Sequence, residues 1–371
     1  MTPRVSGLIM EVNGLRGVCI MLVMLGHALG NTFFFLLPVM DFLFIVSGCF
    51  VTRIFVEIGF SFRGYVSFYA RRGIRTWPMY YFVVVSVLAF DMVLVAFGRG
   101  HPVTLEQLLK LLTFTQFASE TFGIHDTVLP TLAHTWSLAI EEQFYVVWSV
   151  VGLALAFSPR LGCILLMVVT AFSIVFRAFG GWHNVLAGRL DSFAAGAFLI
   201  LLFSSDLPLP VRLRRDFNWS RIFGWLSCIS LLIYFVVVIP GFAYRHDQEK
   251  LIDFSDHAAM QLSGKVLMLA ISGYVLSNVG APHLRFLCAK WLGLIGLLSY
   301  QIYLVHVPLM YYGSVALKEL VGLNYKLGAG LMAVVSVLVA WFWFVHVDKR
   351  LAPLRNYFSY PSARRSELGG N

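Results

Sequence analysis

Apolar runs of about twenty residues recur from one end of this 371-residue chain to the other, far more of them than one soluble domain can bury. Hydrophobic residues make up 59% of it and charged residues only 13%, with a mean hydropathy of +0.79. At about 20 residues per membrane span there is material for about ten helices, and helices satisfy their backbone internally in lipid. The fold class that follows is an all-α polytopic membrane bundle. The runs predict spans at 9–29, 33–55, 78–97, 132–157, 161–179, 185–204, 220–242, 264–279, 291–313 and 325–346. Within the longest interruption, Leu105–Phe117 reads as an interfacial or re-entrant helix. Residues 1–358 are expected to form one transmembrane domain and 359–371 a polar, disordered cytoplasmic tail.

A net charge of +9 can signal nucleic acid, but here the basic residues lie in short loops between apolar runs, which is a topological pattern. No nucleic-acid partner is expected. Most of the 28 lysines and arginines fall on one side when the N-terminus is placed inside, the largest groups being Arg53, Arg63, Arg71, Arg72 and Arg75, and then Lys349, Arg350, Arg355, Arg364 and Arg365. Ten spans with both termini cytoplasmic satisfy that sorting. Arg4 and Arg16 before the apolar Val18–Leu29 loosely resemble a signal peptide, yet the motif described next favours a retained first span. The five cysteines suggest neither a disulfide framework nor a metal site.

Arg16 and His27 are eleven residues apart, which is three helical turns: the same face, about 16 Å apart. An ionisable residue inside a span is costly and marks a functional site by default. The plainer reading of His27 is a polar side chain bonded to a neighbouring helix. Counting residues from the span edges puts Asp41 and Glu141 at about the same depth as His27, within a few ångströms, with Asp91 nearby. In the stretch His134–Trp148, the residues His134, Ser137, Glu141, Tyr145 and Trp148 share one helix face, and Glu142 is turned about 100° away. A carboxylate beside an imidazole can orient it as a general base, or else it merely bridges polar gaps between helices. Arg72 and Arg75, at i and i+3, present guanidinium forks that suit phosphate groups, although a positive-inside anchor explains arginines there equally well.

These segments, with Met40–Phe50 and Leu297–Pro308, resemble acyltransferase family 3 of the membrane-bound O-acyltransferases over nearly the whole chain. Arg16-x10-His27, Arg72-x-x-Arg75 and Ser137-Leu138-x-x-Glu141 match its motifs in order, and Arg189-Leu190-Asp191 with Gly196 looks like a further recurrent segment. Two positions depart from the pattern: Asn13 stands where an acidic residue is common before Gly-Leu-Arg, and the turn of span two reads Ser47-Gly48-Cys49. A fused extracytoplasmic hydrolase-like domain, present in some relatives, is not expected after span ten.

The resemblance implies transfer of an acyl group, most often acetyl, from cytosolic acyl-CoA to a hydroxyl of a carbohydrate or lipid-linked glycan on the outer side of a bacterial inner membrane. Exopolysaccharide and lipopolysaccharide glycans are acceptors of that kind, and membrane lipids are the remaining partners. It assigns Arg16, Arg72 and Arg75 to the donor's phosphates. His27 is the base or the acyl carrier, with Glu141, and more weakly Asp41, orienting it. His134, Ser137, Glu142, Tyr303 and His306 are supporting or acceptor-side residues, with Tyr300 beside them. Interhelical packing explains the Tyr300, Tyr303 and His306 group equally well. A transporter or flippase that uses the buried His, Asp and Glu as a proton relay is the competing class, disfavoured by the lack of inverted-repeat symmetry.

Overall fold

The computed structural model describes residues 3–29, 38–99, 102–118, 129–179, 184–203, 217–240 and 254–360. Among them there is no strand; the chain is an all-α polytopic membrane bundle. Its helices are α1 (Pro3–Leu29), α2 (Val39–Ile58), α3 (Phe62–Ala96), α4 (Leu105–Leu112), α5 (Trp136–Phe157), α6 (Pro159–Ala178), α7 (Leu190–Phe203), α8 (Trp219–Ile233), α9 (Phe254–Ser277), α10 (Lys290–Leu297), α11 (Ser299–Val321), α12 (Tyr325–Trp343) and α13 (Lys349–Tyr357).

Among the described residues, seven helices are long and apolar enough to cross a membrane, and up to nine if each of two bent pairs is one span. Each of the ten expected runs therefore coincides with a helix, but not with ten straight crossings. Residues 33–37, 204 and 241–242 of those runs, and 361–371 of the expected tail, lie outside the described residues. At 14 residues α7 reaches only about 21 Å. Ten of its residues are buried, so protein rather than lipid surrounds it.

Where α7 meets α2 the two backbones touch. A Cβ on Gly196 would stand 1.9 Å from the Ile45 carbonyl oxygen, and one on Gly48 would stand 2.1 Å from that of Phe193. Small residues allow such approach between membrane helices, where packing rather than water exclusion drives association. The contact is completed by the Cys49 thiol, which donates to the Gly196 carbonyl at 3.0 Å.

Three departures from a simple bundle shape the site. α3 begins at Phe62 rather than near residue 78, and its 35 residues reach about 52 Å, well beyond a ~30 Å hydrocarbon core. Ser61 caps it by accepting from the Gly64 N–H at 3.1 Å, and arginine is a good helix former, so the arginine-rich stretch continues the helix instead of interrupting it. α10 and α11 meet at Leu298 with a bend of 69°, which turns the first residues of α11 inward. α12 runs through a π-helical turn at Phe344–Asp348 into α13. Of the expected helix over Leu105–Phe117, only the eight residues of α4 are helical, opened by a Thr104/Gln107 capping box; the chain leaves the helix where Phe114 and Phe117 take positive φ.

Candidate active site

A cavity of about 770 Å³ opens between α1, α2, α3, α5, α11 and α13. Six of its lining side chains are cationic (Arg16, Arg71, Arg72, Arg75, Lys349 and Arg355), and only Glu141 and Asp348 are acidic. The positions follow from local geometry. Arg72 and Arg75 come from adjacent turns of α3, and Arg16 reaches in from α1, where its Nη2 donates to Ser299 Oγ at 3.0 Å at the α10/α11 bend. The Arg72 guanidinium lies over the Tyr145 ring, 4.9 Å from its centroid. Among the described residues, Arg16, Arg72 and Arg75 form no ion pair. Three guanidinium groups without an ion-pair partner around one cavity suit an anion.

Glu141 sits at the inner wall. It accepts from Ser47 Oγ at 2.7 Å and from the Tyr145 hydroxyl at 3.4 Å, and it lies within electrostatic reach of Arg16 and Arg72. One turn earlier on α5, Ser137 also lines the cavity and donates to the Tyr303 hydroxyl at 2.8 Å. Tyr303 in turn donates to the His134 carbonyl oxygen. Behind Tyr303 is a cluster of three imidazoles. His306 meets His27 with ring centroids 5.1 Å apart and His134 at 5.3 Å.

The cluster's tautomers follow from its backbone contacts. His306 Nδ1 faces the Tyr303 carbonyl at 2.7 Å and His134 Nε2 faces that of Leu304 at 3.3 Å. A carbonyl only accepts, so both nitrogens carry protons and His306 Nε2 and His134 Nδ1 are left as lone-pair acceptors. Neither acceptor has a hydrogen-bond partner among the described residues. His27, in the last turn of α1, is exposed. The site thus joins, through Tyr303, a cationic cavity to an imidazole cluster that includes exposed His27.

The similar depth expected for His27, Asp41 and Glu141 does not bring them into one hydrogen-bonded group. Glu141 is engaged by Ser47, and His27 is met by His306. Asp41 belongs elsewhere: it forms a 2.7 Å ion pair with Arg189, accepts from Ser192 Oγ at 2.6 Å and lies 3.8 Å from Lys265 Nζ. Lys265 and Arg177 each pair with Asp191 at 2.7 Å, so the network ties α2, α6, α7 and α9 together. Glu142 joins α5 to α3, accepting from Thr76 Oγ1 and Trp77 Nε1, each at 3.3 Å. Tyr300 donates to the Thr76 carbonyl at 2.6 Å, and Asp91 accepts from Tyr312 at 2.9 Å.

Sequence reasoning did not single out Gln301, Asp348, Lys349 or Arg355. Gln301 is 5% exposed and its Nε2 donates to Asp348. The positions 349, 352 and 355, at i, i+3 and i+6, were the legible signal that one face of α13 meets the cavity.

A family model described as an acyltransferase domain matches residues 9–345. Among curated proteins, the chain is 26% identical over 302 residues to "Putative peptidoglycan O-acetyltransferase YrhL" of Bacillus subtilis (strain 168), covering 73% of this chain and 43% of that protein. It is 26% identical over 305 residues to "Peptidoglycan O-acetyltransferase OatA" of Listeria monocytogenes, covering 73% and 44%. With "O-acetyltransferase OatA" of Staphylococcus aureus (strain NCTC 8325 / PS 47) the identity is 24% over 287 residues, covering 73% and 45%. The chain spans less than half the length of these relatives. No solved structure matches it.

Proposed function

Since the chain belongs to acyltransferase family 3, we propose that it is a membrane O-acyltransferase moving an acyl group, acetyl in the first instance, from cytosolic acyl-CoA to a carbohydrate hydroxyl on the extracytoplasmic side. The observation that carries this reading is an arginine-lined cavity that reaches Tyr303, whose ring also meets His134 and His306, the latter in contact with His27. Arg16, Arg72 and Arg75 hold the donor's phosphates, and their lack of carboxylate partners fits that duty. The pantetheine arm then runs along the cavity wall towards Ser137 and Tyr303. Gln301, whose buried Oε1 has no hydrogen-bond partner, is placed to accept from an amide N–H of that arm.

At the far end His27 removes the proton of the acceptor hydroxyl as its oxygen attacks the thioester carbonyl. The C–S bond breaks, and the proton returns to the departing thiolate. In the other route His27 takes the acyl group first and hands it on, with the same overall balance. Both place His27 at the reacting atoms. Glu141 steadies Arg16 and Arg72 at the inner wall. The similarity to peptidoglycan O-acetyltransferases supports an envelope glycan as acceptor, peptidoglycan or a lipid-linked precursor among them. The positive-inside distribution supports a plasma membrane orientation with the N-terminus cytoplasmic.

The test is to supply membranes carrying the chain or His27→Ala with isotope-labelled acetyl-CoA and extracted envelope glycans, and to follow base-labile label by mass spectrometry. Label that requires His27 is the expected result. Transport of unmodified glycan in its place would favour the transporter reading.

A further inference from the structure

Arg355 lines the cavity from α13, and its Nε is buried without a hydrogen-bond partner. A guanidinium N–H shut away from water needs an acceptor, and a cavity wall is where an anionic ligand supplies one. The backbone that carries Arg355 is fixed from α3: Arg71 Nη1 donates to the Arg355 carbonyl at 3.1 Å and to that of Phe358 at 3.2 Å, and its guanidinium lies 5.2 Å from the Tyr360 ring centroid. Arg71 therefore straps the C-terminal helix across the cavity.

Contacts along α3 order the wall. Arg355 hangs by its carbonyl from Arg71, whereas Glu142 of α5 meets α3 at Thr76, so Arg355 lies towards the start of α3 from the level of Glu141 and Ser137. Asp348, which lines the same cavity, is engaged by Gln301 and by Trp343 Nε1 at 3.0 Å.

Resting on the acyl-CoA reading, we infer that Arg355 is a donor-binding residue whose ligand is the terminal phosphomonoester on the donor's ribose. The thioester must lie by Ser137 and Tyr303 to meet His27. The pyrophosphate, midway along the molecule, then falls among Arg16, Arg72 and Arg75. The phosphomonoester, at the opposite end from the thioester and doubly charged, meets the last arginine of the series.

The experiment is calorimetric titration of the full chain in detergent with CoA and with 3′-dephospho-CoA. Arg355→Gln is expected to weaken CoA binding by about 10- to 100-fold, the range of a charge-assisted hydrogen bond, and to leave dephospho-CoA binding unchanged. Arg350→Gln, which removes the same charge from an exposed position of α13, is expected to change neither. Equal losses for both ligands, or no loss for CoA, would overturn the assignment while leaving the donor reading intact. A parent chain that binds neither ligand overturns both together. Should the glutamine variant fail to fold, Arg355→Lys gives the readout. Its preference for CoA over dephospho-CoA is expected to fall several-fold, and an unchanged preference counts against Arg355.

Discussion

Around Asp41 five charged side chains from four helices close on one another, whereas along the inner face of α3 the guanidinium groups of Arg72 and Arg75 face a cavity with no carboxylate paired to them. Both regions sit in apolar surroundings, and both concentrate charge that is expensive to keep there. In the first, Arg189 and Asp41 are 2% and 1% exposed at their side chains and each charge has its opposite within 2.7 Å. In the second, six cations share two acids. Charge met by an opposite charge inside the network holds helices together. Charge left over beside a cavity is held for something that binds there. The two regions should therefore fail differently when a charge is removed.

The largest effect belongs to the reacting end of the cavity side. His27→Ala should lower acyl transfer by about 10²- to 10⁴-fold, the usual contribution of a positioned general base, with an unchanged melting temperature in detergent. Retained transfer would move the chemistry to His306 or His134. In the ion network, Asp41→Asn removes the carboxylate that meets Arg189 at 2.7 Å and lies 3.8 Å from Lys265, and should destabilise the fold by about 3–5 kcal/mol. The readout is the yield of monodisperse protein and its melting temperature. The donor KM of the fraction that folds should stay at the parent value. A stable Asp41→Asn protein with lost turnover would instead return Asp41 to the reacting group. Next in size, Arg75→Gln should raise the donor KM by about 10- to 150-fold with little change in stability, since no ion pair is broken. A shift in membrane orientation with an unchanged KM would reduce Arg75 to a topological anchor.

The sequence made the charges visible because each one interrupts an apolar run, and helical spacing alone aligned Ser137 with Glu141 and Arg16 with His27. It did not show the pairing. Asp41 and Glu141 look alike as single acids in apolar runs. Their fates were decided by Arg189, 148 residues away, and by Ser47, 94 residues away, and no local pattern encodes such distances. Spans were legible for a related reason. Hydropathy averages over twenty residues and locates a run, but it is blind to a bend at one residue, so the turn at Leu298 that aims Ser299 and Gln301 at the cavity was hidden. At α3 the helix outruns the apolar run, because arginine interrupts hydropathy without interrupting a helix. The C-terminal helix was invisible as a wall of the cavity for the opposite reason: its charges looked like an ordinary cytoplasmic cluster.

The smallest effect bears on whether the cavity and the imidazole cluster work as one site. Tyr303 belongs to both: its hydroxyl receives the Ser137 proton on the cavity side and donates to the His134 carbonyl on the other, while its own carbonyl fixes the His306 tautomer. Tyr303→Phe keeps the ring and the backbone and deletes only the hydroxyl link. If the two halves act together, loosening His134 against Ser137 should lower kcat by about 3- to 10-fold, the worth of a neutral hydrogen bond, and leave the donor KM unchanged, because no arginine moves. If Tyr303 only packs, kcat per folded molecule should equal the parent's and the melting temperature alone should fall. The split between kcat and melting temperature thus decides whether the arginine cavity ends at Tyr303 or continues through it to His27.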